Sequence, residues 1–335
     1  IRATMAPQIM PVMIEPWESS SWPYTGAPCC SIWATNSGTL TAAGSFSAPK
    51  APSAWSMLPH LTISSPETCG IIAAAMANRH PAYIIVAEDL ATRPITGSAV
   101  EPYQQPKSDA DELKAAADAA LAKIQAAKTG CILPAFTVSR FGLQAEVTAL
   151  IEASGLPFAT TAMDKAALSE GHPHYIGGYA GKFSPPNVVE AVEGGDVVIN
   201  AGGVLFTDIS TAAFADNIDP AKMITIGIDY TQVDGRIYSN VRMRDMFVEL
   251  AAKVKKFTDV KLGRPAPAKL VGGPDDPITQ ESLVGRYQQF LKPNDILVAE
   301  TGTSAVVTGG LLMPEGAVYH NQTWWGSIGW ATGTA

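Results

Sequence analysis

The chain has 335 residues, 31 acidic against 23 basic side chains and a net charge of −8. Its 47% apolar and 16% charged content is that of a globular protein of roughly two domains, each able to bury a core. No basic stripe, Arg-rich segment or bilayer-length apolar run is present, which argues against nucleic-acid and membrane partners.

Cys29, Cys30, Cys69 and Cys131 show no CxxC spacing and no histidine at ligand distance. Neither a zinc site nor a disulfide framework is therefore expected, and a cytoplasmic location is. Cys131, within Cys131-Ile132-Leu133, reads as a small buried hydrophobe. The opening lacks a basic segment followed by an apolar one, so no secretory signal is expected. Because the first residue is Ile1 and the last motif stops abruptly, both ends are expected to be cut from something longer.

Residues 1–60 are compositionally unusual. Four of the seven tryptophans lie before residue 56, and Lys50 is the only Lys, Arg, Asp or Glu between Ser19 and Pro66. No helical or strand period persists there. Two readings stay open: an irregular segment, or a stretch outside the proper reading frame. From Leu61 the texture changes. Ser65-Pro66-Glu67 opens a helix carrying 71–76, which His80-Pro81 ends, and 82–87 reads as a strand. Residues 88–107, with Pro94, Pro102 and Pro106, read as a linker.

Ser108-x-x-Asp111 is expected to cap a long helix running to Lys128. Strands follow over 130–136, 157–161, 196–201 and 223–228, with helices over 143–154, 186–193 and 244–256. Strand–helix alternation at these lengths predicts a parallel sheet wrapped by helices, a Rossmann-like domain. Residues 262–277, rich in Pro and Gly, read as a second linker, and 280–291 as a helix. Asp295–Ala299 is an apolar run that predicts a buried strand. It breaks into Glu300-Thr301-Gly302-Thr303-Ser304 and continues through Ala305-Val306-Val307, a strand–turn–helix unit whose hydroxyls and free N–H groups can converge on an anion. The plainer reading is a helix N-cap. Gln322-Thr323-Trp324-Trp325-Gly326-Ser327-Ile328-Gly329 then sets a small-residue turn beside an aliphatic side chain.

Other candidates read more simply as structure. Gly202-Gly203 lacks the Gly-x-Gly-x-x-Gly pattern and suits a tight strand-end turn. His172 and His174 flank Pro173, which disfavours a helical metal pair. Asp208, Asp229 and Asp234 sit at strand ends or turns, where hydrogen bonding to the backbone explains them.

The pair Glu-Thr-Gly-Thr-Ser and Trp-Gly-Ser-Ile-Gly, in this order behind a strand, resembles the opening of the cofactor domain of thiamine-diphosphate-dependent 2-oxo acid decarboxylases. Pyruvate and indolepyruvate/phenylpyruvate decarboxylases are members of that family. Arg140-Phe141-Gly142-Leu143, Gly155–Thr161, His172–Gly181, Ser184-x-Pro186 and Phe206-Thr207-Asp208 resemble its central domain, and 61–87 the close of its N-terminal domain. The resemblance implies an α/β fold: a Rossmann-like parallel-sheet central domain flanked by partial thiamine-diphosphate-binding α/β domains. The expected division is 1–60 anomalous, 61–92 pyrimidine-binding remnant, 93–107 linker, 108–261 central domain, 262–277 linker and 278–335 start of the diphosphate-binding domain.

The resemblance further implies conversion of a small 2-oxo acid to an aldehyde and CO2, with thiamine diphosphate and Mg²⁺, by an enzyme that is a homo-oligomer when intact. It puts Thr301, Gly302 and Thr303 near the diphosphate and reacting end. Gly326 would offer its carbonyl to the pyrimidine amine, with Ser327 in the same turn. Ile328 would supply an N–H and the wedge that bends the cofactor. The family's Gly-Asp-Gly and Asn-Asn metal motif has no match here. Its activating glutamate and His-His pair have no counterpart in Glu15, Glu18 or His60. No catalytic or metal-binding residue is therefore expected, and the polypeptide alone is expected to be inactive. Two alternatives are an acetolactate-synthase-like carboligase fragment and a non-enzymatic central domain for assembly or nucleotide binding.

Overall fold

The computed structural model describes residues 31–34, 40–43, 60–61, 66–79, 81–82, 106–258 and 260–335. Ile1–Pro106 and Lys107–Ala335 are two compact units. In the first, β1 (Ser31–Ala34), β2 (Leu40–Ala43) and β3 (His60–Leu61) pair antiparallel in that order. Helix α1 (Pro66–Asn78) starts on the expected proline, whose fixed φ suits a first helical position. Beyond Ala82, the strand expected over 82–87 and most of the linker over 88–107 lie outside the described residues.

The second unit is built on α2 (Ala110–Ala126), β4 (Gly130–Pro134), α3 (Phe136–Arg140), α4 (Gln144–Ser154), β5 (Phe158–Thr160), β6 (Tyr175–Gly178) and α5 (Pro186–Val192). It continues through β7 (Val197–Ala201), β8 (Met223–Ile226), β9 (Tyr230–Val233), β10 (Arg236–Ser239) and α6 (Met243–Lys253). The seven strands lie in the order β10-β9-β8-β7-β4-β5-β6. From β6 to β8 all neighbours are parallel, as the alternation predicts. β9 and β10 instead form an antiparallel hairpin on β8. Its cause is local: Val233 pairs with Arg236 across Asp234-Gly235, whose φ values of 50° and 80° suit a two-residue hairpin turn.

β4 and β7 are central and buried along their whole length, so both faces of each must be apolar. Ile132 and Ile199 pack with α2, α4 and α6 on one face; Cys131, Leu133 and Val198 pack with Val188 and Val192 of α5 on the other. Ala116, Ala117 and Ala120, all but fully buried, let α2 approach closely. Burial pushes the Cys131 thiol up to about 12, so it stays protonated and inert.

Two local expectations change. The cap of α2 is Asp109, whose carboxylate accepts the N–H groups of Asp111 and Glu112, while the Ser108 hydroxyl donates to Asp245. The first strand ends at Pro134, and Phe136 opens α3, because the Asp164 carboxylate accepts the Phe136 N–H.

Residues 262–277 hold no helix or strand. α7 (Gln280–Phe290) follows behind a reciprocal capping box of Thr279 and Ser282, then β11 (Ile296–Val298), α8 (Thr303–Gly309), β12 (Val318–His320) and α9 (Trp330–Thr334). β11 pairs in parallel with β12 alone among the described strands. The expected burial of this strand therefore fails: Ile296 is 68% exposed, because a two-stranded sheet leaves an edge and much of one face open. Among the described residues no helix is long and apolar enough to cross a membrane.

Gly142 and Gly155, at φ 67° and 73°, separate two costs of adding a side chain. An Ala Cβ at 142 meets nothing within 4 Å, whereas at 155 it falls 2.9 Å from the Phe257 carbonyl. Gly142→Ala is expected to cost about 1 kcal/mol and Gly155→Ala about 2–3 kcal/mol, read from urea unfolding midpoints. Equal losses would contradict the close approach.

Candidate functional site

The two motifs near the end of the chain meet at Glu300. Its Oε1 accepts the N–H groups of Thr301 at 2.9 Å and Gly329 at 3.0 Å, and its Oε2 accepts that of Ala331 at 3.2 Å. The Glu300 carbonyl receives the Ser304 hydroxyl at 2.7 Å. On the other side, the Gln322 carbonyl accepts the Gly326 N–H at 3.0 Å and the Thr301 hydroxyl at 3.5 Å. Residues 326–328 therefore form an arch anchored at both ends to the turn after β11.

The expected cofactor residues line this junction. Thr301 is half-buried. Gly302 occupies the N-cap of α8 at φ 130° without a side-chain cap, and the place where a Cβ would stand is open for 4 Å. The plain N-cap reading of the Thr/Ser cluster thus fails. The hydroxyls of Thr303 and Ser327 are exposed and have no hydrogen-bond partner among the described residues. Gly326 adopts φ 59°, and the Ile328 side chain is 86% exposed. Gln322 Oε1 and Trp324 Nε1 are buried without a partner among the described residues. Such atoms cost about 1–3 kcal/mol each until something satisfies them.

Contacts that the sequence did not reveal dock this segment on the carboxyl ends of the central strands. Asn321 donates to the Ala162 carbonyl at 2.7 Å, and the Trp324 ring meets Phe136 edge-on at 4.7 Å between centroids. The Arg140 guanidinium lies 4.4 Å from the Phe136 ring centroid. Deeper still, Lys165 and Glu170 form an ion pair at 2.8 Å with side chains 4% and 0% exposed. The Lys165 ammonium also donates to the Leu311 carbonyl at 2.6 Å, and Glu170 Oε2 accepts the Met313 N–H at 2.8 Å. These partners lie more than 140 residues apart in sequence, so no local pattern marks them.

Asp164 stands next to this pair. Burial pushes its carboxyl up to about 6, against the opposing pull of the Thr161 hydroxyl and the Phe136 N–H. The strand order reverses between β4 and β7, where open α/β sheets offer a crevice. Here the Thr137 hydroxyl crosses that crevice to the Gly202 carbonyl at 2.5 Å, and a Cβ on Gly202 would strike Thr137 Oγ1. Gly202-Gly203 is accordingly a tight strand-end turn. The Asn200 side chain holds the loop beyond it through both backbone groups of Val204. The His174 ring contacts the Leu156 carbonyl at 3.0 Å, and His172 Nδ1 accepts the His174 N–H; burial lowers the His172 pKa. The Asp208 carboxylate accepts the N–H of Ile209, and that of Asp234 pairs with Lys123. Among the described residues no group of His, Cys, Asp and Glu could hold a metal ion.

Two outcomes are expected. Lys165→Met strands a buried carboxylate and should cost about 3–5 kcal/mol in urea unfolding; adding Glu170→Gln should recover part of it. Strictly additive losses would contradict the pairing. For Asp164, a folded pKa near 6 lies above the unfolded value of about 3.9, so its contribution is complete below pH 4 and fades as pH rises through 6. Relative to Asp164→Asn, the wild-type chain should lose about 2 kcal/mol between pH 4.5 and 7.5. A flat difference would mean that the carboxyl is not held up.

Comparison with known proteins accords with the motif resemblance. Residues 117–251 match the family described as the thiamine pyrophosphate enzyme central domain. The chain is 30% identical over 230 residues to pyruvate decarboxylase isozyme 1 of Saccharomyces cerevisiae, covering 68% of this chain and 41% of that protein. It is 32% identical over 220 residues to the pyruvate decarboxylase of Candida glabrata, covering 64% and 39%. In fold it is similar to the crystal structure of benzoylformate decarboxylase from Polynucleobacter necessarius, with a TM-score of 0.60 at 13% identity, over 78% of this chain and 50% of that one. The chain thus spans less than half the length of these two curated relatives. Residues 117–251 are thus a thiamine pyrophosphate enzyme central domain, and over about two thirds of its length the chain is similar to yeast pyruvate decarboxylase isozyme 1.

Proposed function

We propose that this chain carries the central domain and the first cofactor-contacting unit of a thiamine-diphosphate- and Mg²⁺-dependent 2-oxo acid decarboxylase, which converts a small 2-oxo acid to an aldehyde and CO2. The observation that supports it best is the junction at Glu300, which sets the turn at 301–303 beside the arch at 326–328. The residues present suit one end of a diphosphate ester. Gly302 leaves open space where a side chain would intrude, and the hydroxyls of Thr303 and Ser327 are unengaged among the described residues and free to donate.

In this reading Thr301, Gly302 and Thr303 face the diphosphate. The Gly326 carbonyl orients the pyrimidine amine, Ser327 completes the turn, and Ile328 presses against the rings. When bound, the cofactor supplies an electron sink for the electron pair released as CO2 leaves. This chain's own residues bind, bend and orient; none is assigned a proton-transfer role, and none is assigned to Mg²⁺. The proposed division is 61–92, 108–261 and 278–335 for the three domain portions, joined by linkers at 93–107 and 262–277. A homo-oligomer in the cytoplasm is the proposed setting of the intact protein. The Trp-Gly-Ser-Ile-Gly motif weighs against a carboligase of the acetolactate-synthase kind, and the Thr137–Gly202 bond weighs against a nucleotide in the switch-point crevice.

Calorimetric titration of thiamine diphosphate with Mg²⁺ into the 335-residue chain is expected to give saturable binding. Ile328→Ala should weaken it about tenfold, roughly 1.4 kcal/mol, yet leave the unfolding midpoint nearly unchanged, since an exposed side chain contributes little to the fold. The same polypeptide should release no aldehyde from pyruvate or phenylpyruvate. Absence of binding heat would refute the cofactor assignment, and aldehyde release would refute the proposed lack of turnover.

A further inference from the structure

We propose that Glu300 is a positioning residue: its carboxylate sets the distance between the turn at 301–303 and the arch at 326–328, and so shapes the cofactor site. The inference rests on the cofactor reading above. Packing among the described residues does little to set that distance. Gly302, Thr303, Ser327, Ile328 and Gly329 are all exposed, and the Ile328 side chain has little to rest on. What remains is hydrogen bonding. One end of the arch is tied at the Gln322 carbonyl, which accepts from both Gly326 and Thr301. Among the described residues its other end is tied through Glu300, whose two oxygens take the N–H groups of Gly329 and Ala331, 29 and 31 residues further on.

The chemistry calls for a carboxylate with this reach. Oε1 serves Thr301 and Gly329 together, so the same atom fixes the first residue of the turn and the residue that follows the arch. Oε2 takes the Ala331 N–H in the first turn of α9, a donor with no acceptor inside its own helix. Gly329 at φ 89° turns its N–H toward the carboxylate, a conformation that a residue with a Cβ rarely adopts. A side chain that merely capped α9 would need only the Ala331 contact. Joining three donors from two separate turns is what distinguishes a clamp from a cap.

The test compares Glu300→Gln and Glu300→Ala in the full 335-residue chain by amide hydrogen exchange resolved by NMR, alongside thiamine diphosphate titration with Mg²⁺. Glu300→Ala should speed exchange at Gly329 and Ala331 by about tenfold while Ile132 and Ile199 of the central sheet stay protected. Glu300→Gln keeps one acceptor oxygen but turns an NH2 toward Ala331, so it should restore Gly329 and not Ala331. Affinity should fall by about tenfold or more in Glu300→Ala and recover in part in Glu300→Gln. Unchanged exchange at both amides would overturn the proposal. So would unchanged affinity once the arch is released, or equal recovery of both amides, which would signify a general effect on the fold. If the wild-type chain shows the exchange pattern but no binding, the cofactor reading fails and Glu300 is left as a clasp of the fold alone, which also overturns its positioning role.

Discussion

The buried pair of Lys165 and Glu170 decides where the last quarter of the chain sits. Withdrawing two charges from water costs several kcal/mol for each, and a single mutual bond seldom offsets that. Here the Leu311 carbonyl takes a second ammonium hydrogen and the Met313 N–H reaches the second carboxylate oxygen, so each charge gains a further hydrogen bond. The apolar cluster beside them is small, with Ala299, Met313, Ala317 and Tyr319 at its centre. Apolar contact is not directional and would allow that segment to slide. Four matched polar groups in a dry site fix it to one place, and with it β11, β12 and the turn that follows.

From that anchor the candidate site follows by short steps. Asn321 and Trp324 settle on Ala162 and Phe136, at the carboxyl ends of β5 and β4. The chain then arches outward through residues that bury almost nothing and returns to Glu300. The result is an exposed arch on a rigid base, with open backbone at Gly302 and an unsupported aliphatic side chain at Ile328. In the proposed function these elements are where the chain meets the cofactor.

Much of the central fold is legible in sequence because it is local. Gly155 closes α4, Pro186 opens α5, and the apolar runs at 130–134 and 197–201 become the buried middle strands. The hairpin of β9 and β10 was equally available in Asp234-Gly235, but the expectation of a parallel sheet hid it. β6, with the sequence Tyr-Ile-Gly-Gly, has weak strand propensity and exists through its pairing with β5. Ser108 and Asp109 are both good caps one residue apart, and the choice between them depends on Asp245, far along the chain. The site motifs were readable as a pair. Glu300's reach to Gly329 and the Lys165–Glu170 clasp were not, because each joins groups that only tertiary structure brings together.

The most direct test is to map amide chemical shifts of the isotope-labelled 335-residue chain as thiamine diphosphate and Mg²⁺ are added. The account predicts perturbations centred on Gly302, Thr303, Gly326, Ser327 and Ile328, with Gly202, Gly203 and Thr137 unmoved. Shifts centred instead on Gly202 and Gly203 would place the ligand in the switch-point crevice and contradict it.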